Sequence, residues 1–521
     1  MSVEHFDVLI VGAGLSGIGA GYFLQTHCPS KSYAILEGRS DLGGTWDLFR
    51  YPGLRSDSDM FTLGYSFRPW HEAEAIANGP SILKYIRATA REFGIDRNIR
   101  FQHRVLSASW SSAEARWTVE CSTNDTEDIA ESSGAGNHQQ PVRYTCSFLY
   151  LCSGYYNYES GHTPVFRGAE DFQGPIVHPQ HWPRDLDCSN RRVVVIGSGA
   201  TAVTLVPALA ETAAHVIMLQ RSPTYIVSLP SKDPLAQLFR KILPERAAHR
   251  LIRWKNVLLG LFVYSLCQRR PELAKRLFRR LLVRELPPGF DIDKHFTPHY
   301  EPWDQRVCVA PDADLFRAIR DGRVIVVTDQ IKQFTLQGIL LESGQELLAD
   351  VIVTATGLKL LALGGIRLSV DGAVIDPRRA LTYKGLMLSD VPNCAFCVGY
   401  SNASWTLRAD LSSMYVCRLI NYLDQHGYRQ CTPRHDGSNV ETQPLLGLKS
   451  GYVQRGVNQF PKQGTKAPWV LRQNYLFDLL SLHYGRVDDG ALVFSREEST
   501  SALSPAGSLR AADQKGEAAL T

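Results

Sequence analysis

Phe6-Asp-Val-Leu-Ile-Val11-Gly12-Ala-Gly14-Leu-Ser-Gly17 stands near the start of the chain, and its order of residue types predicts a buried parallel strand that turns through glycines into a helix. Each glycine has a mechanical reason. Gly12 permits the tight turn, Gly14 lets the backbone approach a pyrophosphate, and Gly17 lets the helix pack on the strand. The next predicted strand, Tyr33-Ala-Ile-Leu-Glu37, ends on an acid twenty residues past Gly17, placed to accept hydrogen bonds from a ribose hydroxyl. The apolar stretch 6–24 is long enough to resemble a membrane span or a leader, but glycines in that register favour a nucleotide-binding unit.

The same pattern recurs. Val193-Val-Val-Ile196 leads into Gly197-Ser198-Gly199-Ala200-Thr201-Ala202, and His215-Val-Ile-Met-Leu219 supplies the following strand. Ala202 stands where a third glycine could, a replacement such turns tolerate. Where the first unit ends in Glu37, this one ends in Gln220-Arg221, exchanging an anion that repels a 2′-phosphate for a guanidinium that clasps it. The second site therefore reads as one for NADPH rather than NADH. The fold class expected is α/β, with two Rossmann-like dinucleotide-binding domains.

Size agrees, since 521 residues are too many for one compact domain and enough for two or three. A net charge of +4 gives no global sign of a nucleic-acid partner. Eleven cysteines, an odd number, and no basic-plus-apolar leader point to a reducing cytoplasm with free thiols. Cys394-Ala-Phe-Cys397 has paired spacing but sits in an apolar run with no second pair, so core packing is expected and no metal site.

Three further stretches carry chemistry. The first is Gly43-Gly44-Thr45-Trp46-Asp47, continued by Tyr51-Pro-Gly53-Leu-Arg55-Ser56-Asp57. The second is Phe172-Gln-Gly174, followed at His178 and Trp182-Pro183. The third is Tyr300-Glu-Pro-Trp303-Asp304-Gln305-Arg306. Together they resemble the motifs of the type I Baeyer–Villiger flavin monooxygenases, and the resemblance is closest to the ethionamide-activating and long-chain alkane subgroup. It runs nearly end to end and fails after about Arg496.

That resemblance implies FAD in the first unit and NADPH in the second. It implies that NADPH reduces FAD, that O2 adds at flavin C4a, and that Arg306 stabilises the anionic peroxide while Asp57 tunes the arginine and the nicotinamide. Contacts implied for the cofactors are Ser16, Thr45, Trp46, Asp47 and Val105 in the first domain, with Arg55 and Ser56 toward NADP. A helix starting within 399–410 is implied to face the flavin. Phe172, Gly174, His178 and Trp182 form the family fingerprint and a hinge. The substrate implied is small and lipophilic: a ketone converted to an ester, with sulfide or thioamide S-oxygenation as a second outlet. Taken singly, Trp46 and Tyr51 read rather as core and Asp57 as a turn cap, while Arg306 reads equally as a structural partner of Asp304. An alkane or heteroatom monooxygenase, or a redox protein without turnover, stays open beside the leading reading. Flavin disulfide reduction does not, because no cysteine lies between Cys28 and Cys121.

The expected layout is a first part of the FAD domain over 1–150, a linker over 151–190, and the NADPH domain over 191–335. The FAD domain returns over 336–496, and 497–521 is a polar tail. A helical insertion near 230–300 packs on the NADPH domain. Between 240 and 284 it carries thirteen Lys or Arg, against Glu245, Glu272 and Glu285 nearby, beside the apolar run 257–266. Such a segment reads either as a solvated basic face or as a peripheral contact of residues 240–285 with an anionic membrane. Oligomeric state is not legible.

Overall fold

The computed structural model describes residues 3–123, 141–435 and 440–496. The polar tail 497–521 lies outside the described residues.

Two parallel sheets organise the chain. In the first, Glu4–Val11 lies between Val142–Leu151 and Tyr33–Leu36, with Ile99–Arg100 beyond the latter and Cys394–Phe396 on the far side of Val142–Leu151. An antiparallel meander, His103–Ser111 with Arg116–Thr123, extends it. Tyr33–Leu36 is buried at every residue, as a strand covered on both faces must be. Helices Leu15–His27 and Trp405–His426 lie against each other over this sheet, so the domain is assembled from both ends of the chain.

The second sheet is parallel throughout, in the order Val324–Thr328, His215–Gln220, Arg192–Ile196, Val351–Thr354, Ile176–Val177. Two of these strands fall outside the 191–335 boundaries read from sequence. Val351–Thr354 is buried at every residue and needs a neighbour on each side, which Arg192–Ile196 and Ile176–Val177 provide. The supposed linker thus gives the sheet an edge strand, and the unit continues past 335.

Helices Pro234–Ile242, Glu245–Arg269 and Pro271–Glu285 form the insertion. It does not rest on the second unit alone. Ala248 and Ile252 belong to the core of the first unit, whereas Leu282 and Leu286 belong to that of the second. Buried Arg253 fixes the bridge: it donates to the carbonyls of Phe61 at 3.0 Å and Gly64 at 2.8 Å and pairs with Asp410 at 3.3 Å.

Candidate active site

The carboxyl ends of the first sheet's strands open on a cavity of about 750 Å³, lined by Val11, Leu36 and Cys152 and, from the second unit, by Ala200, Thr201 and Thr204. That is where ligands sit in open parallel sheets. A neighbouring cavity of about 800 Å³ lies beyond the 46–55 loop and lacks both glycine turns, Asp57 and Arg306.

Gly12, Gly14, Ser16, Glu37, Gly44, Thr45, Trp46 and Val105 all line the cavity at the strand ends. Gly17 stands behind it, packed on the Gly12 carbonyl. The Glu37 carboxylate accepts from the amides of Ala13 at 2.7 Å and Arg39 at 2.9 Å. Burial pushes its pKa up against those donors, and each oxygen keeps a further lone pair for a ligand hydroxyl. Ser16 accepts from the Trp405 indole at 2.7 Å, which sets the first residue of helix Trp405–His426 into the wall. Asp47 does not reach the cavity. Buried, it pairs with Arg39 at 2.6 Å and Arg87 at 3.3 Å, so it holds Arg39, which does line the wall.

The Tyr51-Pro-Gly53 loop crosses to the second unit. Gly53 has φ +73°, and a methyl group there would sit 2.6 Å from the Thr204 carbonyl oxygen and 2.8 Å from the Ala208 methyl. Tyr51 packs on the second unit's core. The loop thereby carries Asp57 into the seam between units. Arg55 also lines the cavity, but its charge is committed to Asp314 and to the carbonyls of Val203 and Val309. Ser56 lines the cavity too, but its hydroxyl closes its own turn on the Ser58 carbonyl with a 2.7 Å bond.

Asp57 and Arg306 both line the cavity, in range of each other's charge. Burial raises the Asp57 pKa, with Arg306 and Arg55 opposing. Burial alone would lower that of Arg306, but it is raised overall, with the Asp57 carboxylate opposing burial, and an arginine guanidinium keeps its charge. Asp304, the alternative partner, is bound to Lys449 at 3.0 Å. The Arg306 Nε is buried with no protein acceptor among the described residues. Three residues earlier Trp303 has φ +73°, an unfavourable backbone for a bulky residue, in the loop that presents Arg306.

The second turn lies at the far side. A methyl group on Gly199 would meet nothing within 4 Å, leaving the open approach a pyrophosphate requires. Gly197 packs on Ala355, and the Ser198 hydroxyl donates to the Ser222 carbonyl at 3.0 Å. Ala202 is fully buried in the core, as the third position of the turn should be. Gln220 departs from the expected contact. Its side chain is buried and donates to the His295 carbonyl at 2.7 Å and the Thr328 hydroxyl at 2.9 Å. Arg221 is exposed, and Arg455 stands close enough that burial and the Arg221 charge together lower its pKa. Neither has a carboxylate partner among the described residues.

None of the four fingerprint residues lines the cavity. Phe172 is in the core behind the second sheet, and Trp182 packs on that of its helix side. Gly174 lies against the Asp350 carbonyl. His178 accepts from the Gln180 amide through Nδ1 at 3.2 Å, so its Nε2 donates to the Gly357 carbonyl at 3.1 Å. Burial lowers its pKa, which keeps this neutral tautomer. The fingerprint therefore straps the edge strand Ile176–Val177 to the second sheet.

Sequence reasoning missed Tyr155, Tyr156 and Tyr158 as cavity-lining residues, and Arg455 as a neighbour of Arg221. Tyr158 hydrogen-bonds Thr45 at 3.2 Å, and Tyr155 packs on Trp405 with ring centres 5.1 Å apart. The available signal was position: an aromatic run directly after a buried parallel strand lies at its carboxyl end.

Comparison with known proteins agrees with this geometry. The family described as flavin-binding monooxygenase-like matches residues 60–362, and an NAD(P)-binding Rossmann-like domain matches 10–76. FAD-containing monooxygenase EthA of Mycobacterium tuberculosis is 55% identical over 494 residues, 95% of this chain and 98% of that one. Probable FAD-binding monooxygenase AlmA of Acinetobacter baylyi is 46% identical over 499 residues, 95% and 97% of the respective chains. An oxidised steroid monooxygenase bound to NADP superposes with a TM-score of 0.73 over 94% of this chain and 99% of its own, at 20% identity, a likeness of fold.

Proposed function

The chain belongs to the flavin-binding monooxygenase-like family and is a flavin-dependent monooxygenase, and we propose that it oxidises small lipophilic ketones to esters with NADPH and O2. Oxygenation of sulfides or thioamides is a second outlet of the same site. The observation that carries the reading is Arg306, a charged guanidinium held in the cavity between the two glycine turns with Asp57 beside it.

The residues fit the two nucleotides. Gly12, Gly14 and Ser16 at the start of helix Leu15–His27, with Glu37, would hold FAD; Gly199 to Thr201, with Arg221 and Arg455, would hold NADPH. Bound FAD, reduced by NADPH, supplies the activation of O2. Arg306 supplies a fixed positive charge where anionic oxygen develops, and arginine keeps that charge at any working pH. Asp57 balances it and orients the guanidinium. Tyr155 and Trp405 exclude water from one wall, which strengthens both charges. Eleven free, buried cysteines support a reducing, cytoplasmic setting.

The test is product analysis by mass spectrometry with purified FAD-loaded protein, NADPH, labelled O2 and a mixed panel of ketones and sulfides. One labelled oxygen in an ester supports the reading. Labelled sulfoxide without any ester assigns the protein to heteroatom oxygenation, and NADPH oxidation with no labelled product contradicts monooxygenation.

A further inference from the structure

The insertion shows the solvent more than basic residues. On helix Glu245–Arg269, Ala248, Ile252 and Val257 face the protein, while Leu251, Trp254, Leu258 and Phe262, spaced by three or four, share the outward side. They are 44%, 39%, 51% and 64% exposed, where core-forming residues of their type would be covered. Leu273, Leu277 and Leu281 make a second exposed stripe on helix Pro271–Glu285, which packs against the first helix. Trp254 also packs edge-on against Tyr475, with ring centres 5.8 Å apart, so the apolar surface continues into exposed Phe477 and Leu480. Single exposed leucines need no explanation; adjoining stripes do.

Cations flank these stripes. Arg246, Arg250, Arg269, Arg276, Arg280 and Arg284 are exposed, and among the described residues none forms an ion pair within 4 Å, Arg276 acting on Glu272 only at longer range. The local acids are already engaged: Glu272 with Lys275 at 2.8 Å, Glu285 with Arg320 at 3.4 Å, Glu245 with His71 at 3.4 Å. No described helix is long and apolar enough to cross a membrane.

We propose that this face docks on an anionic lipid bilayer, with the apolar stripes at the headgroup boundary and the arginines on lipid phosphates. A second copy of the chain is the poorer occupant, because it would bring two arginine-rich faces together. The inward side of the same helix packs directly behind the cavity wall. Val257 packs with Tyr400 and Leu407, joined by Leu261 and Ala403, and Tyr400 and Ala403 line the cavity. The docking face is thus separated from the cavity wall by one helix, which gives a lipid-dissolved substrate a short path. That delivery step rests on the lipophilic-substrate reading; docking does not.

The test is co-sedimentation of the FAD-loaded full chain with phosphatidylcholine vesicles and with vesicles also containing phosphatidylglycerol. Partitioning is expected to be at least tenfold stronger on the anionic vesicles and to weaken as salt rises. Joint replacement Arg276→Glu, Arg280→Glu and Arg284→Glu should lower partitioning about a hundredfold, and Leu258→Ser with Phe262→Ser should weaken it at low salt. Both variants should keep the turnover of a water-soluble substrate. Equal binding to both vesicles, or charge-reversed protein binding as before, overturns docking, as does self-association without vesicle binding. If docking holds but vesicle-dissolved ketone reacts no faster than with the charge-reversed protein, the delivery step alone is overturned. Sedimentation does not depend on activity, so failure of the oxygenation reading leaves it standing.

Discussion

Replacing Gly53 by alanine tests how the two units are held. The added methyl would lie 2.6 Å from the Thr204 carbonyl oxygen and 2.8 Å from Ala208, well inside ordinary contact, so the loop or the helix Ala200–Leu209 must move. Such overpacking costs about 1–3 kcal/mol, and forcing alanine to a φ of +73° adds about 1 kcal/mol. The expected loss is about 3 kcal/mol, a fall in Tm of several degrees. Gly94 provides the control. Its φ is +64°, yet a methyl there meets nothing within 4 Å, so Gly94→Ala should cost only the backbone part, about 1 kcal/mol. Thermal unfolding of the two FAD-loaded variants, run side by side, reads the difference. Gly53→Ala should also slow turnover, since Asp57 sits four residues along the same loop. Equal losses in the two variants, or an unchanged Gly53→Ala protein, would refute the seam contact.

Glu37→Gln removes the charge from the acceptor meant for a ribose hydroxyl, a bond worth about 1.5–3 kcal/mol, so FAD affinity should fall by at least about tenfold in equilibrium titration. Unchanged affinity would remove Glu37 from the cradle. Arg221→Ala and Arg455→Ala should each raise KM for NADPH by about tenfold or more while leaving KM for NADH nearly constant; steady-state kinetics with both coenzymes decides. Arg253→Leu strands a buried carboxylate and should cost about 3–5 kcal/mol. The Asp410 pKa is already raised by burial, and losing Arg253 raises it further. The folded state then binds more protons than the unfolded one, so the variant should be more stable at pH 5 and lose stability as pH rises; denaturant titrations across that range would contradict this if the loss were pH-independent.

Both nucleotide units were legible because their signal is local: a buried strand, glycines at fixed spacing and a strand-end residue lie within about forty residues. Glu37 and the cavity-lining Gly14 follow from it, whereas Thr45 and Trp46 came only through the family resemblance. Partnerships across the chain were not legible. Nothing near Gln220 signals that His295 and Thr328 take its amide, or near Arg55 that Asp314 takes its charge. The membership of Val351–Thr354 in the second sheet was missed because an apolar run of four does not name its neighbours. Arg455 follows a linear separation of 234 residues from Arg221, and only folding brings the two guanidinia into range. The insertion was read as helical from its pattern, but its seat on the first unit depends on Arg253, an arginine that composition alone counts as solvated.

The most direct measurement is the yield of labelled product per NADPH oxidised, under labelled O2, for the parent protein and Arg306→Ala, with flavin absorbance confirming equal FAD loading. The account predicts that Arg306→Ala still binds FAD but forms oxygenated product at least about a hundredfold more slowly. Product formation at the parent rate, with FAD fully bound, would contradict it.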